Sequence, residues 1–300
     1  MTASHTPNLL VTGASGQLGR RVVELLLEAK AGHVIAATRN PEKLADLAAR
    51  GVEVRRADFD DPASLTTAFA GVDRLLLIST DAVGEPGRRL AQHRAAVAAA
   101  VKAGVKHVVY TSLTRPEPGT PITLADSHYG TEQALAESPL DWTVLRNNVY
   151  TDVLLMSLPQ AVAMGQLVDA AGNGGTGYVT REDCARAAAA VLAAPPAGRV
   201  TLDITGPNVV TCSELAQIVS EISGRPVSYA SVTPDVMQNI LVGAGLPPVY
   251  AEALVSFDTA KAQGFLGVAT TTVAELTGAA PQSVRDFLLA HKEALLPQPA

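Results

Sequence analysis

Gly13, Gly16 and Gly19 recur at three-residue intervals in the stretch LLVTGASGQLGR, residues 9–20. Glycine reaches backbone dihedrals that other residues avoid, and its missing side chain lets a backbone approach a ligand closely. An apolar run stops at Thr12 and an amphipathic pattern begins at Gln17, so the glycines occupy a strand-to-helix turn. In such a turn Gly13 makes the sharp bend, Gly16 brings the backbone to a pyrophosphate, and Gly19 lets the new helix pack close to the sheet. Unpaired N–H groups at the helix start and the helix dipole favour the anion, and Ser15 adds a hydroxyl. The chemistry indicated is dinucleotide binding. A Walker-type loop is excluded, because Gly19 is followed by Arg20 and Arg21 rather than Lys and Ser or Thr.

The second apolar run ends Thr38, Arg39, Asn40, with no carboxylate before Glu42. An NAD site usually places Asp or Glu there, against the ribose hydroxyls. An arginine instead pairs with a 2′-phosphate through a charge-assisted fork. Arg39 therefore reads as the discriminator for NADP(H), against the alternative of a solvated surface arginine. Asp58 and Phe59 follow the third run and are placed to meet the adenine. Ile78, Ser79 and Thr80 follow the fourth and line the path from adenine to nicotinamide. For proton transfer the sequence offers less. Tyr129 is followed four residues later by Gln133, where a short-chain reductase carries a lysine that lowers the tyrosine's pKa. Tyr129 thus reads either as a proton donor or as a pocket wall, and His128 beside it in the same two ways. No HExxH or Gly-x-Ser-x-Gly occurs, so zinc hydrolysis and serine esterase chemistry have no support. Hydride transfer needs little beyond orientation of a cofactor that carries the hard chemistry.

These residues need a scaffold, and the first half of the chain spells one out. Strands are expected at 8–13, 33–39, 52–58, 74–80, 107–112 and 141–147. Helices are expected at 17–29, 41–50, 61–71, 87–103 and about 126–137. In the first helix Leu18, Val22, Leu25 and Leu26 share a face. Pro41 and Gly51 are start and stop signals for the second. Repeated strand–helix alternation implies parallel strands with right-handed crossovers. The expected class is α/β: a doubly wound Rossmann-type parallel sheet with a smaller C-terminal α/β lobe. The first domain is expected at 1–152 and the smaller, substrate-cleft lobe at 153–300, with 177–206 a candidate to return to the first sheet. A helix at 211–224 carries a capping box, Thr211 and Glu214, and a strand follows at 226–232.

Composition narrows the classes. A net charge of −6 over 300 residues argues against nucleic-acid binding. Cys184 and Cys212 show neither disulfide nor zinc spacing, which suits a reducing cytoplasm. The polar start, MTASHTPN, lacks a signal-peptide layout. The longest apolar candidate, Val153 to Val168, is interrupted by Pro159, Gln160 and Gly165, short of a membrane span. A membrane partner is therefore not expected, and an oligomer is possible but not indicated.

The pieces VTGASGQLGR, AGVKHVVYTSL, LADSHYGTE, LRNNVYTD and VTREDCARAAAAVL resemble the NmrA-like, atypical short-chain dehydrogenase/reductase family. The likeness is greatest to its quinone oxidoreductase type 2 and triphenylmethane reductase branch and runs over nearly the whole chain. The resemblance implies NADP(H) as cofactor and a hydrophobic cleft for a quinone-like acceptor. It puts the phosphate loop on Gly13, Ala14, Ser15, Gly16, Gln17 and Leu18, and the 2′-phosphate arginine on Arg39. It puts further cofactor contacts on Asn147, Asn148, Val149, Tyr150, Thr151 and Asp152. A later cofactor-side turn falls on Tyr178, Val179, Thr180, Arg181 and Asp183. Asn147 and Tyr150 are then the expected orienting residues for nicotinamide and acceptor. Where that branch often has a lysine, this chain has Gln133. Two other readings stay open: a redox-sensing NADP-binding regulator, and a carbonyl or imine reductase using Tyr129.

Overall fold

A computed structural model describes residues 6–296; residues 1–5, part of the stretch read for a leader, lie outside it. The chain runs β1 (Asn8–Val11), α1 (Gln17–Glu28), β2 (His33–Thr38), α2 (Ala45–Ala49), β3 (Glu53–Arg56), α3 (Pro62–Ala68), β4 (Arg74–Leu77) and α4 (Arg88–Ala103). It continues with β5 (His107–Leu113), α5 (Ala125–Glu137) and β6 (Asp141–Asn147). Then come α6 (Leu158–Met164), β7 (Gln166–Asp169), β8 (Gly175–Thr176), α7 (Arg181–Ala193) and β9 (Arg199–Ile204). The last part holds β10 (Val210–Thr211), α8 (Cys212–Ser223), β11 (Ser228–Ser231), α9 (Pro234–Gly243), α10 (Pro248–Ala262) and short helices to Leu295.

Seven strands form one sheet in the order β3-β2-β1-β4-β5-β6-β9. The pairs β1–β2, β2–β3, β1–β4 and β4–β5 are parallel. The order reverses at β1, whose neighbours are β2 and β4, and that is the switch point beyond which doubly wound sheets bind ligands. All seven residues of β5 are buried, as a sheet covered on both faces requires. On α1 the buried stripe is Leu18, Gly19, Val22, Val23 and Leu26. Leu25 is only half-buried, because Val23 takes the inward position beside Gly19.

The chain divides into two compact units. One comprises the chain up to Ser112 with Ser127–Arg146 and Cys184–Leu202; the other comprises Leu113–Asp126, Asn147–Asp183 and Asp203 onward. Each has its own core. Leu10, Ile35, Phe69, Leu75, Tyr110 and Leu135 belong to the first. Leu158, Leu167, Leu215, Val219, Phe287 and Leu288 belong to the second. Burying each such side chain contributes about 1.5–3 kcal/mol.

The structure corrects several expected boundaries. β4 stops at Leu77, not Thr80, because the next N–H groups bond to side chains rather than to a ladder. The helix expected at 41–50 splits into a 3₁₀ turn, Pro41–Leu44, and the short α2. The apolar run 153–168 is three elements: a 3₁₀ turn over Thr151–Met156, α6 and the start of β7. Gly165, at φ +69°, ends α6 in a left-handed turn. No helix among the described residues is long and apolar enough to cross a membrane.

Candidate functional site

Thr12 fastens the end of β1 to that of β4. Its hydroxyl donates to the Leu76 carbonyl at 3.1 Å and accepts from the Ile78 N–H at 2.9 Å. The chain then turns at Gly13, φ +60°, a conformation that suits glycine. The Ala14 N–H is taken by the Ala37 carbonyl at 3.1 Å, and Ala14 and Leu18 are buried. Gly16 is the N-cap of α1, with no side-chain cap and no acidic residue in the first turn. The first N–H groups of α1 are therefore left for a ligand, in a field that favours an anion. The Ser15 and Thr38 hydroxyls meet at 2.9 Å. A Cβ on Gly19 would lie 2.4 Å from the Gly13 carbonyl oxygen, so Gly19 is needed for the helix to pack against the loop itself rather than the sheet. Gln17 opens the helix and is exposed.

Arg39, just past β2, is exposed and has no hydrogen bond or ion pair among the described residues. Asp58 and Phe59 are half-buried after β3; Asp58 accepts from the Asp60 N–H at 3.1 Å, and Phe59 packs on the first core. Arg88, then Gln92, and more weakly Arg39 hold the Asp60 carboxyl below the usual carboxylate range.

Ile78, Ser79 and Thr80 are half-buried. The Ser79 N–H donates to Thr111 Oγ1 at 3.0 Å, and the Thr80 N–H to His93 Nε2 at 3.0 Å. Because Nε2 accepts, the His93 proton sits on Nδ1, which lies 2.9 Å from Thr131 Oγ1. His128 completes this buried network. Arg89, which only donates, reaches His128 Nε2 at 3.0 Å, and Nδ1 lies 3.0 Å from the Tyr110 hydroxyl. Both His128 nitrogens are thus engaged inside the protein. Burial, with Arg89 and His93 adding to it, pushes His128 well below its ordinary value. Burial pushes His93 down to about 3. Tyr129, next to His128, is half-buried and its hydroxyl has no partner among the described residues; Gln133 is exposed and contributes no charge.

The histidines give a pH prediction. Both are neutral in the fold but titrate near ~6.5 when unfolded. The unfolded chain then binds more protons at acid pH. Stability present above ~6.5 is lost as pH falls towards the folded values, by up to about 1.4 kcal/mol per pH unit per histidine. His93→Asn should flatten the slope of unfolding free energy against pH by about one proton between about pH 6 and 4. An unchanged slope would contradict a neutral His93.

The second unit holds another cluster. Asn147, last of β6, is buried; its Nδ2 donates to the Tyr150 hydroxyl at 3.2 Å, and its Oδ1 has no hydrogen-bond partner among the described residues. Tyr150 bridges Val179, and the Thr151 N–H donates to the Val179 carbonyl at 2.9 Å. Asp152 Oδ2 accepts from the Arg181 N–H at 2.9 Å. The Arg181 guanidinium lies 5.3 Å from the Tyr150 ring centroid. Asn148 Nδ2 donates to the Leu266 carbonyl at 3.1 Å, Val149 packs in the core, and Tyr178 is buried there. Thr180 Oγ1 donates to Asp183 Oδ2 at 2.7 Å.

One pairing has no signal in the linear pattern. Glu132 on α5 accepts from Ser112 Oγ at 2.6 Å and from Arg146 Nη2 at 2.6 Å. It ties α5 to the ends of β5 and β6. Among the described residues no group of three or more His, Cys, Asp or Glu could hold a metal.

The model of an NAD(P)H-binding family matches residues 13–195. Quinone oxidoreductase 2 of Escherichia coli is 38% identical over 271 residues, 90% of this chain and 93% of that protein. The crystal structure of the E. coli enzyme complexed with NADPH matches with a TM-score of 0.89, covering 94% of this chain and 98% of that one at 37% identity. Citrobacter sp. triphenylmethane reductase complexed with NADP(H) matches at TM-score 0.88 and 37% identity, over 94% of this chain and 99% of that one. An NmrA-like family domain-containing oxidoreductase of Aspergillus flavus is 30% identical, with 92% of each chain covered. The chain belongs to the NAD(P)H-binding family, among its NmrA-like oxidoreductases.

Proposed function

We propose that this chain is an NADPH-dependent reductase that delivers hydride to a quinone or a similar flat, electrophilic acceptor. The observation that carries the reading is the pair Asn147 and Tyr150. A buried amide oxygen without a hydrogen-bond partner costs free energy unless a ligand donor meets it. A nicotinamide carboxamide is such a donor. The phosphate loop fits a dinucleotide on its own geometry: a left-handed Gly13, a Cβ-free Gly19 against the loop backbone, and an uncapped helix start.

In this reading the backbone of Gly13, Ala14, Ser15, Gly16, Gln17 and Leu18 holds the pyrophosphate, and Arg39 pairs with the 2′-phosphate. Asp58 and Phe59 flank the adenine; Ile78, Ser79 and Thr80 line the route to the nicotinamide. NADPH supplies the hydride when bound. Asn147 orients the carboxamide and Tyr150 the acceptor. Asn148, Val149, Thr151, Asp152, Tyr178, Val179, Thr180, Arg181 and Asp183 hold those two in place through backbone and packing. His128, with both ring nitrogens engaged, is assigned no proton transfer, and Tyr129 is assigned a pocket wall.

The test is oxidation of NADPH and NADH, read by absorbance, across quinones, cationic dyes and ketones. Steady turnover with quinones is expected. Tight NADP+ binding with no turnover on any acceptor would instead make the chain a redox sensor. Arg39→Asp should cut the NADPH-over-NADH ratio of kcat/KM by roughly 10–100-fold, the size of a charge-assisted contact; an unmoved ratio removes Arg39 from the site.

A further inference from the structure

Two features converge on the Tyr150 hydroxyl. Asn147 Nδ2 donates to its oxygen at 3.2 Å. The Arg181 guanidinium lies 5.3 Å from the ring centroid. Asp152 fixes that guanidinium, with Oδ1 at 3.3 Å from Nη1 and Oδ2 accepting the Arg181 N–H at 2.9 Å. The bridge from Tyr150 to Val179 locks the two segments in register. An N–H donor on a phenol oxygen stabilises negative charge growing there. A cation over the ring face does the same through the ring's electrons. A hydroxyl supported in both ways suits proton donation. Tyr129 has neither support: Gln133 is neutral and exposed.

Resting on the reductase reading above, we propose that Tyr150 is the proton donor to the acceptor and that Arg181 positions and polarises it. As a quinone takes up hydride, the Tyr150 O–H bond breaks and an O–H bond forms on the acceptor oxygen. Both electrons arrive with the hydride, so NADPH becomes NADP+ and the quinone becomes the hydroquinone. The phenolate recovers its proton from water. Each turnover consumes one NADPH and one solvent proton.

A cationic triphenylmethane dye separates this role from simple orientation, because its central carbon takes hydride and needs no proton. With 1,4-benzoquinone, Tyr150→Phe should lower kcat on the order of 100-fold, the usual worth of a positioned proton donor. With the dye the loss should be at least about tenfold smaller than with benzoquinone, since both reactions lose an orienting contact but only the quinone loses its proton donor. Arg181→Met should show the same selectivity at about tenfold, and Arg181→Lys should restore most of the quinone rate, because the charge returns. A binding measurement needs no turnover. Calorimetry on protein loaded with NADP+ should show Tyr150→Phe weakening benzoquinone binding about fivefold, the size of one lost hydrogen bond. Equal losses on both acceptors, or unaltered quinone binding, overturn the donor while leaving the reductase intact. A wild-type protein inert toward both acceptors overturns the reductase reading, and the donor with it.

Discussion

Gly19→Ala should remove NADPH binding, raising the dissociation constant at least about 100-fold. The new Cβ would lie 2.4 Å from the Gly13 carbonyl oxygen, 2.8 Å from its carbon and 3.0 Å from Ala14 Cα. All three are backbone atoms and no flexible side chain can yield. Either α1 moves away from the loop or the loop opens. Both withdraw the N–H groups at the helix start from the pyrophosphate, and two lost charge-assisted hydrogen bonds are worth roughly 3–6 kcal/mol. Gly16→Ala is the informative partner. Its Cβ would meet only the Gly13 oxygen, at 3.3 Å, and its φ is −85°. The empty protein should tolerate that methyl with little loss of stability, yet it would stand where the phosphate approaches. Calorimetry with NADPH and urea unfolding separate the two: Gly16→Ala loses binding alone, and Gly19→Ala loses both. Binding within about threefold of wild type in Gly19→Ala would mean that the loop is not the phosphate site.

The glycine turn between β1 and α1 was legible because everything it needs is local. Strand end, glycines and helix start lie within a dozen residues, and each glycine has a separate steric reason. The sheet was legible for a similar reason, since apolar runs and capping signals repeat along the first half. Strand ends were overread where site loops peel away. Ile78 continues the apolar run of β4, but the N–H groups of Ile78, Ser79 and Thr80 go to Thr12, Thr111 and His93, and only the three-dimensional placement of those side chains reveals it. The stretch 151–169 was unreadable as three elements because its apolar residues keep no period across Pro159 and Gly165.

The polar networks were invisible for a different reason. Arg89 and His128 are separated by 39 positions, and Glu132 and Arg146 by 14. Nothing in a linear pattern marks them as partners. From the sequence His128, next to Tyr129, reads either as a proton donor or as a pocket wall. On a helix, however, neighbouring residues face different ways, and His128 turns inward to Tyr110 while Tyr129 does not. The Asn147–Tyr150 pair was reachable through the family resemblance, but Arg181 over the Tyr150 ring was not. Spacing along the chain carries no information about ring faces.

Lys261→Met should destabilise the protein by about 3–5 kcal/mol, the cost of leaving buried charge unpaired. The Lys261 ammonium on α10 lies 2.8 Å from Asp258 Oδ1 and 3.9 Å from Asp169 Oδ2. Burial alone would pull its pKa down, but the acidic groups around it, Tyr178, Asp258, Cys212 and Asp169, hold it well above the usual lysine value. Asp169 also accepts from the Tyr229 hydroxyl at 2.6 Å and from the Cys212 thiol at 2.6 Å. One ammonium therefore balances two carboxylates at which β7, α8, α10 and β11 meet. Burial, together with Asp169, pushes the Cys212 thiol up to about 12, so it serves as a donor here and not as a nucleophile. Methionine fills the volume of the lysine stem but removes the charge, and both carboxylates then lose their counter-ion in a poorly solvated place. Adding Asp258→Asn to Lys261→Met should recover part of the loss, because the two substitutions share one interaction and cannot add. Urea unfolding of the two single variants and the double variant supplies the cycle. Strict additivity would show that Lys261 and Asp258 are uncoupled.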